Sequence, residues 1–477
     1  MIDDMIDDAI HAVYGILIAV SIAGVWMLRP RTTRARRIRL VLSLALLLGL
    51  AGLGAVLWMA DQPGPTDFAS GRAVELAEYP GSSPTGAPPE LAAAPLVARG
   101  EYLALAADCK ACHTARGGQP FAGGRAFELP FGTLYTPNIT PDPKTGIGAW
   151  SDAEFLRAMH QGIGRDGKRL YPAFPYDSYT LLTDEDVLAI KAYLFTLKPV
   201  VNADRDNTFI FPFNQRWSMA IWSLLFNPDH RFRPVAEQSP QWNRGAYLVE
   251  AAAHCGECHT PRNLMQAMDT RRKFAGGQAE GWNAYNITSD ADSGIGAWSG
   301  DQLAAYLSHA HGDGVGTACG PMAEAVELSL SHLAPGDIQA MVIYLRTIPA
   351  VHDRTLPRVA GMTSSLASAG PPDNLAGKRI FEGACTGCHA WDGSGVIRSV
   401  AQLTGARAVN DSTGLNAAQM ILAGADETTL RPLMPGFAGG YSDAEIAAVS
   451  NYVTERFGSS RSNLTPSDVS RLRGSVE

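Results

Sequence analysis

Near the start of the chain the hydrophobic pattern is continuous, with no polar interruption. Ala9–Leu28 is a run of 20 residues, and Leu40–Ala60 a run of 21, without Asp, Glu, Lys or Arg. At about 1.5 Å of rise per residue each reaches roughly 30 Å, the thickness of a hydrocarbon core. Between them lie Arg29, Arg31, Arg34, Arg36, Arg37 and Arg39, and before them Asp3, Asp4, Asp7 and Asp8. Basic loops stay in the cytoplasm, so the pattern predicts a transmembrane hairpin with both ends outside and residues 61–477 exported. An acidic lead-in is unlike that of a cleaved leader, and Trp58 fits a small-residue cleavage site poorly. Beyond the hairpin the pattern becomes amphipathic and helical. Arg99-Gly100-Glu101-Tyr102-Leu103, Arg244-Gly245-Ala246-Tyr247-Leu248 and Gly377-Lys378-Arg379-Ile380-Phe381 open three stretches. Acid-led segments close them, Thr183 through Leu197, Ala334 through Ile348 and Ser442 through Phe457, with acids where a helix amino terminus favours them. Tyr193, Tyr344 and Tyr452 hold matching places on these closing helices.

Composition narrows the class. The 477 residues allow about three domains of about 150 residues each. With 46% apolar and 18% charged residues the chain is that of a folded protein. The net charge is −8, and leaving out the hairpin makes the exported part about −10, which argues against a nucleic-acid binder. Seven cysteines are too few for a disulfide scaffold.

Six of those cysteines form three copies of one motif: Cys109-Lys110-Ala111-Cys112-His113, Cys255-Gly256-Glu257-Cys258-His259 and Cys385-Thr386-Gly387-Cys388-His389. C-x-x-C-H is the attachment signal for c-type haem. The thiols add across the two vinyl groups, and the imidazole becomes the proximal iron ligand. A thioredoxin-like pair does not require the adjacent His, and a zinc ribbon would pair its motifs closely in sequence. Chance predicts about 0.002 such matches in a chain of this composition. Three covalent haem c groups are therefore expected, on Cys109, Cys112, Cys255, Cys258, Cys385 and Cys388, with His113, His259 and His389 on iron.

The first two units are close kin. Asn138-Ile139-Thr140 and Gly146-Ile147-Gly148-Ala149-Trp150-Ser151 recur, offset by 148, as Asn286-Ile287-Thr288 and Gly294-Ile295-Gly296-Ala297-Trp298-Ser299. The fold class that follows is all-α: three tandem cytochrome c-type domains after the two-helix hairpin. The expected boundaries are hairpin 1–60, linker 61–95, domain 96–198, linker 199–240, domain 241–349, linker 350–372, domain 373–458 and tail 459–477. A sixth ligand belongs on the loop before each closing helix. Met322 in Gly320-Pro321-Met322 and Met434 in Pro432-Leu433-Met434-Pro435 fit that place. In the first unit Phe174 stands opposite Met322 and cannot bind iron, so Met159 or His160, the latter otherwise a surface helix residue, is the nearest substitute. A first haem without a thioether ligand would have a lower potential than the other two.

Taken together, these motifs, with Leu170-Tyr171-Pro172-Ala173, Phe211-Pro212-Phe213-Asn214-Gln215-Arg216-Trp217 and Gly320-Pro321-Met322, resemble the triple-haem cytochrome c subunits of membrane-bound bacterial dehydrogenases, from about Arg99 to Phe457. The resemblance implies an electron-transfer subunit in the bacterial inner membrane, its haem domains periplasmic, taking electrons from a catalytic partner and reducing ubiquinone. It departs at Phe174, where the family usually has Met. The hairpin, in place of a cleaved leader, points to the aldehyde dehydrogenase assembly of acetic acid bacteria, whose partner chains carry molybdopterin and iron–sulfur clusters. The alternatives are the cytochrome subunit of a quinoprotein alcohol or flavin-dependent sugar or gluconate dehydrogenase, a relay to a terminal oxidase, and a peroxidase-like use of an open first haem. No catalytic residue is expected in this chain. Cys319, the odd thiol, is expected to be a small buried residue, and Trp217–Phe226 to contact membrane or partner or to cover a domain joint.

Overall fold

A computed structural model describes residues 33–88, 91, 94–352, 374–396, 399–425, 434–459 and 461–476. The chain divides into two units, residues 1–62 and 63–477. In the first, Thr33–Ala60 is one helix of 28 residues. Its Val41–Ala60 stretch is long and apolar enough to cross a membrane, and Met59 alone in it is buried. The other expected span, Ala9–Leu28, lies outside the described residues.

The second unit is mostly helical and built on three crossed helix pairs. Leu96–Ala106 crosses Asp184–Leu194, Pro240–Tyr247 crosses Pro335–Leu345, and Leu375–Ile380 crosses Asp443–Phe457. Glycine at each crossing explains the close approach. A Cβ on Gly100 would lie 1.8 Å from the Ala189 carbonyl oxygen, one on Gly245 2.0 Å from that of Ala340, and one on Gly377 2.2 Å from that of Ala448. Tyr344 and Tyr452 sit one turn after these carbonyls, fully buried. Thr183 caps the first closing helix, and Ser442 with Glu445 forms a full capping box on the third. In the second and third pairs one π-helical turn, Leu248–Ala252 and Phe381–Cys385, carries the chain from the opening helix towards the first cysteine.

The all-α expectation needs correcting in detail. Each of the first two motifs is followed by a two-stranded antiparallel hairpin, Ala126–Leu129 with Gly132–Tyr135 and Gly277–Ala279 with Trp282–Ala284, and a shorter one joins His311–Gly312 to Gly316–Thr317. These strands are two to four residues long, too short to leave a readable alternation. The expected tail is also more than a tail. Pro466–Val476 is a helix packed on Leu415–Ala423 and Asp443–Phe457, tied by Arg473 to Asp443 at 2.8 Å.

One hydrophobic core runs without a break from Tyr102 to Ile348, through the first two helix pairs. The third pair has clusters of its own, around Phe381 and Tyr452 and around Leu422 and Ile446. The first two pairs are locked by a reciprocal polar clasp. Tyr102 Oη donates to Asp337 Oδ2 at 2.6 Å and accepts from the Ala334 N–H. Tyr247 Oη donates to Asp186 Oδ2 at 2.5 Å and accepts from the Thr183 N–H. Asp337 is paired by Arg244 at 2.7 Å, and Asp186 by Arg99. Both aspartates are buried, so each needs this full set of donors. The joint 61–95 is built into the clasp: Gly86 N–H donates to Asp186, and Arg244 donates to the Pro84 carbonyl.

Candidate functional site

The helix crossings hold the three motifs on short helical turns, Cys109–Cys112, Gly256–His259 and Thr386–His389. In each, the histidine ring is fixed through one nitrogen by a backbone carbonyl. His113 Nδ1 bonds the Pro137 oxygen at 2.8 Å, His259 Nδ1 that of Tyr285 at 2.6 Å, and His389 Nδ1 that of Ala401 at 2.6 Å. Such a bond places the proton on Nδ1 and leaves the Nε2 lone pair for a metal. Burial lowers the basicity of all three imidazoles, keeping them neutral, the form that ligates.

A cavity of about 1760 Å³ is walled by Cys109, Cys112 and His113 on one side and by Cys255, Cys258 and His259 on the other. A single small-ligand pocket holds roughly 300–1,000 Å³, so this space suits more than one large group. Met322, Cys319, Met159 and Phe174 also line it, as do Met219 and Met265. Asp108 and His254, each immediately before a first cysteine, take left-handed backbone with φ of 51° and 36°. Cys385 and Met434 share a separate, smaller cavity with Phe437 and Ile421. Met322, expected on a loop, lies in the first turn of the helix Gly320–Leu328, while Met434 lies on a loop before the closing helix.

The structure separates the two substitutes in the first unit. Met159 is buried in the cavity wall. His160, expected at the surface, is also buried but is absent from that wall; its Nδ1 lies 3.6 Å from Asp184, and burial lowers its pKa to about 4. Phe174 rests against Tyr179, ring centroids 5.5 Å apart.

Burial pushes the thiols of Cys109, Cys112 and Cys255 up to about 12, and those of Cys258 and Cys385 up to about 11. No group of three His, Cys, Asp or Glu side chains able to hold a bare metal ion occurs among the described residues. An orphaned donor supports a haem instead. The Trp298 indole Nε1 is buried in the cavity wall with no hydrogen-bond partner, as expected where a bound anionic group completes the site. Cys319 is half-buried and raised to about 12 by burial.

Several residues here escaped the sequence. Arg125 bridges the first two units, donating to the Ala111 carbonyl, to Glu324 at 2.6 Å and to Glu280 at 3.0 Å. Arg407, from the third unit, enters the wall of the second site. Neither has a counterpart at the 148-residue offset. Trp298 did leave a signal, since it repeats Trp150.

Crossed helix pairs, C-x-x-C-H turns and a carbonyl-held histidine define a c-type cytochrome with covalently bound haem. The cytochrome c family matches residues 97–198 and 375–456. The chain is 39% identical to the fructose dehydrogenase cytochrome subunit of Gluconobacter japonicus, over 82% of this chain and 85% of that protein. It is 37% identical to the gluconate 2-dehydrogenase cytochrome c subunit of Pantoea cypripedii, over 79% and 89%. A nicotinate dehydrogenase component from Pseudomonas putida is 40% identical over 76% of this chain, which spans only 30% of that longer protein. The chain belongs to the family of dehydrogenase cytochrome c subunits, and is an electron-transfer component of an oxidoreductase complex.

Proposed function

We propose that this chain is a membrane-anchored triple-haem c subunit that passes electrons from a periplasmic dehydrogenase to ubiquinone in the bacterial inner membrane. The observation that carries this reading is the threefold recurrence of C-x-x-C-H with the histidine Nδ1 tied to a backbone carbonyl. Cys109 and Cys112, Cys255 and Cys258, and Cys385 and Cys388 hold the three groups, and His113, His259 and His389 bind their irons. Haem iron supplies one-electron chemistry, and the chain sets its potential through ligand, burial and charge. Met322 and Met434 supply the sixth ligand in the second and third domains, and Met159 stands in for the missing loop methionine in the first.

An apolar acceptor is supported by the wall of the first site. Phe209, Phe211, Phe213 and Trp217 line it, and outward Phe211 is 77%, Trp217 67% and Leu224 83% exposed. Ser218–Phe226 is a short helix with only Trp222 and Ser223 buried, Trp222 packing between Tyr176 of the first unit and Met265 and Ala267 of the second. The exposed Val41–Ala60 helix supports the anchor, and the arginines before it support a periplasmic location for the haem domains. For the partner we place a molybdopterin and iron–sulfur aldehyde dehydrogenase first, on the two apolar runs Ala9–Leu28 and Leu40–Ala60.

Purification of the intact complex tests this. The expected result is three haems per chain by the pyridine haemochrome assay, co-purifying molybdopterin and iron–sulfur chains, and aldehyde-driven reduction of a ubiquinone analogue without an oxidase. A large quinoprotein or flavoprotein chain in their place would move the substrate to alcohols or sugars. Recovery without any dehydrogenase chain would overturn the subunit reading.

A further inference from the structure

The third haem unit docks on the hairpin of the second. Asn283 N–H donates to Asn416 Oδ1 at 2.9 Å, Asn416 Nδ2 returns a bond to the Asn283 carbonyl, and Asn283 Nδ2 donates to Asp411 at 2.8 Å. Through this contact the third unit sends Arg407 across. Its guanidinium donates to the carbonyls of Asn286 at 3.1 Å, Ser293 and Gly294, and lies over the rings of Tyr285 and Trp298, 5.4 and 5.7 Å from their centroids.

Three observations make this arginine unusual. Among the described residues no carboxylate pairs with it. The acids around it are engaged elsewhere: Asp411 accepts from Asn283, Tyr285 and Thr413, and Asp290 from Ser293 and His352. Burial pulls its pKa down to about 10. Beside it, the Trp298 Nε1 is a buried donor without an acceptor. A buried donor left without an acceptor is costly, so a site that retains one, next to a cation with no carboxylate partner, suits an anion. Arg407 and Trp298 line the cavity that both motifs share, and Tyr285, whose ring lies under the guanidinium, accepts from His259 through its carbonyl, which puts them beside the second motif; a haem there brings two propionate carboxylates.

We propose that Arg407 of the third domain, together with the Trp298 indole N–H, holds the propionates of the haem attached at Cys255 and Cys258. This rests on the haem assignment above and adds to it that the second haem's electrostatics are completed in trans by the next domain. A fixed positive charge favours the reduced iron, so docking of the third domain raises the potential of the second haem. Arg407 is a positioning residue and touches no iron ligand.

The test uses the full complex, titrated spectroelectrochemically, with the second haem identified as the wave displaced by Met322→Ala. Arg407→Gln is expected to shift the oxidised-to-reduced ratio of that wave about tenfold towards oxidised, equivalent to about 59 mV for one electron. Arg407→Lys keeps the charge and should restore most of the shift. The propionate bending modes of that haem should move in the resonance Raman spectrum of R407Q. Gln419→Ala removes a different contact between the two domains, its bond to the Gly281 carbonyl, and should leave the wave in place. An unmoved wave in R407Q with three haems still bound overturns the proposal and leaves the haem assignment standing. So does a shift of equal size in Q419A or in R407K, which would reduce Arg407 to an interface prop. Fewer than three haems in the unsubstituted protein would overturn the underlying assignment instead.

Discussion

Phe174 is the residue on which the three C-x-x-C-H units differ. By the repeat it stands opposite Met322 of the second unit, and Met159, from the helix Asp152–Gln161, brings a sulfur to the cavity wall, as do Met219 and Met265. Met159→Leu nearly conserves volume, at a cost below about 1.5 kcal/mol, so its effect is separable from unfolding. The expected outcome is loss of one methionine–iron absorption band and a fall in one of three midpoint potentials, read by potentiometric titration. Met434→Leu should do the same to a different wave. The proposed ligand types rest on the sequence, because C-x-x-C-H and a Pro-flanked methionine carry their chemistry in adjacent residues. The choice between Met159 and His160 was not legible there. They are neighbours in one helical turn, and only the packing of that helix decides which faces the cavity.

Among the elements, the crossed helices give the sharpest expectation. Gly245→Ala would put a methyl group 2.0 Å from the Ala340 carbonyl oxygen, a clash that only displacement of the closing helix relieves. The expected cost is about 3 kcal/mol, as for a severe overpacking, seen as a lowered thermal midpoint by circular dichroism. The loops after the hairpins give a pH dependence. Hydrogen bonds from the Thr145 N–H and hydroxyl hold Asp142 below the usual carboxylate range; in Asp290 burial acts in the opposite sense, and the bonds from Ser293 prevail. A depressed carboxylate contributes stability above its unfolded value of about 3.9 and loses it as pH falls through the folded value. Melting temperature should therefore drop on acidification below about pH 4, and less steeply in the double variant Asp142→Asn/Asp290→Asn. Closing helices and their caps were readable from acid-led periodic segments. The strands were not, since four residues against four, with a third segment bonding Thr133 and Phe131 from Thr208 and Ile210, leave no period to count.

For the whole molecule, the continuous core and the clasp make the first two haem units one body, with the third attached through the face that carries Asn283. Replacing both Tyr102 and Tyr247 by Phe removes one donor from each buried aspartate, at roughly 1–3 kcal/mol apiece. Calorimetry should then show the joint transition of these units shifting down or splitting, while the transition of the third unit stays in place. None of this was visible in the sequence, because the clasp joins residues 61 and 235 positions apart. Only the repeat of Arg99-Gly100 and Tyr102 as Arg244-Gly245 and Tyr247 hinted at a shared task. That repeat gives the contact a pseudo-two-fold character: each unit offers its tyrosine to the other's aspartate, as the two faces of an isologous homodimer do. The third unit has Ala376 and Arg379 where the others carry arginine and tyrosine, so it cannot make this grip and is held through a different face.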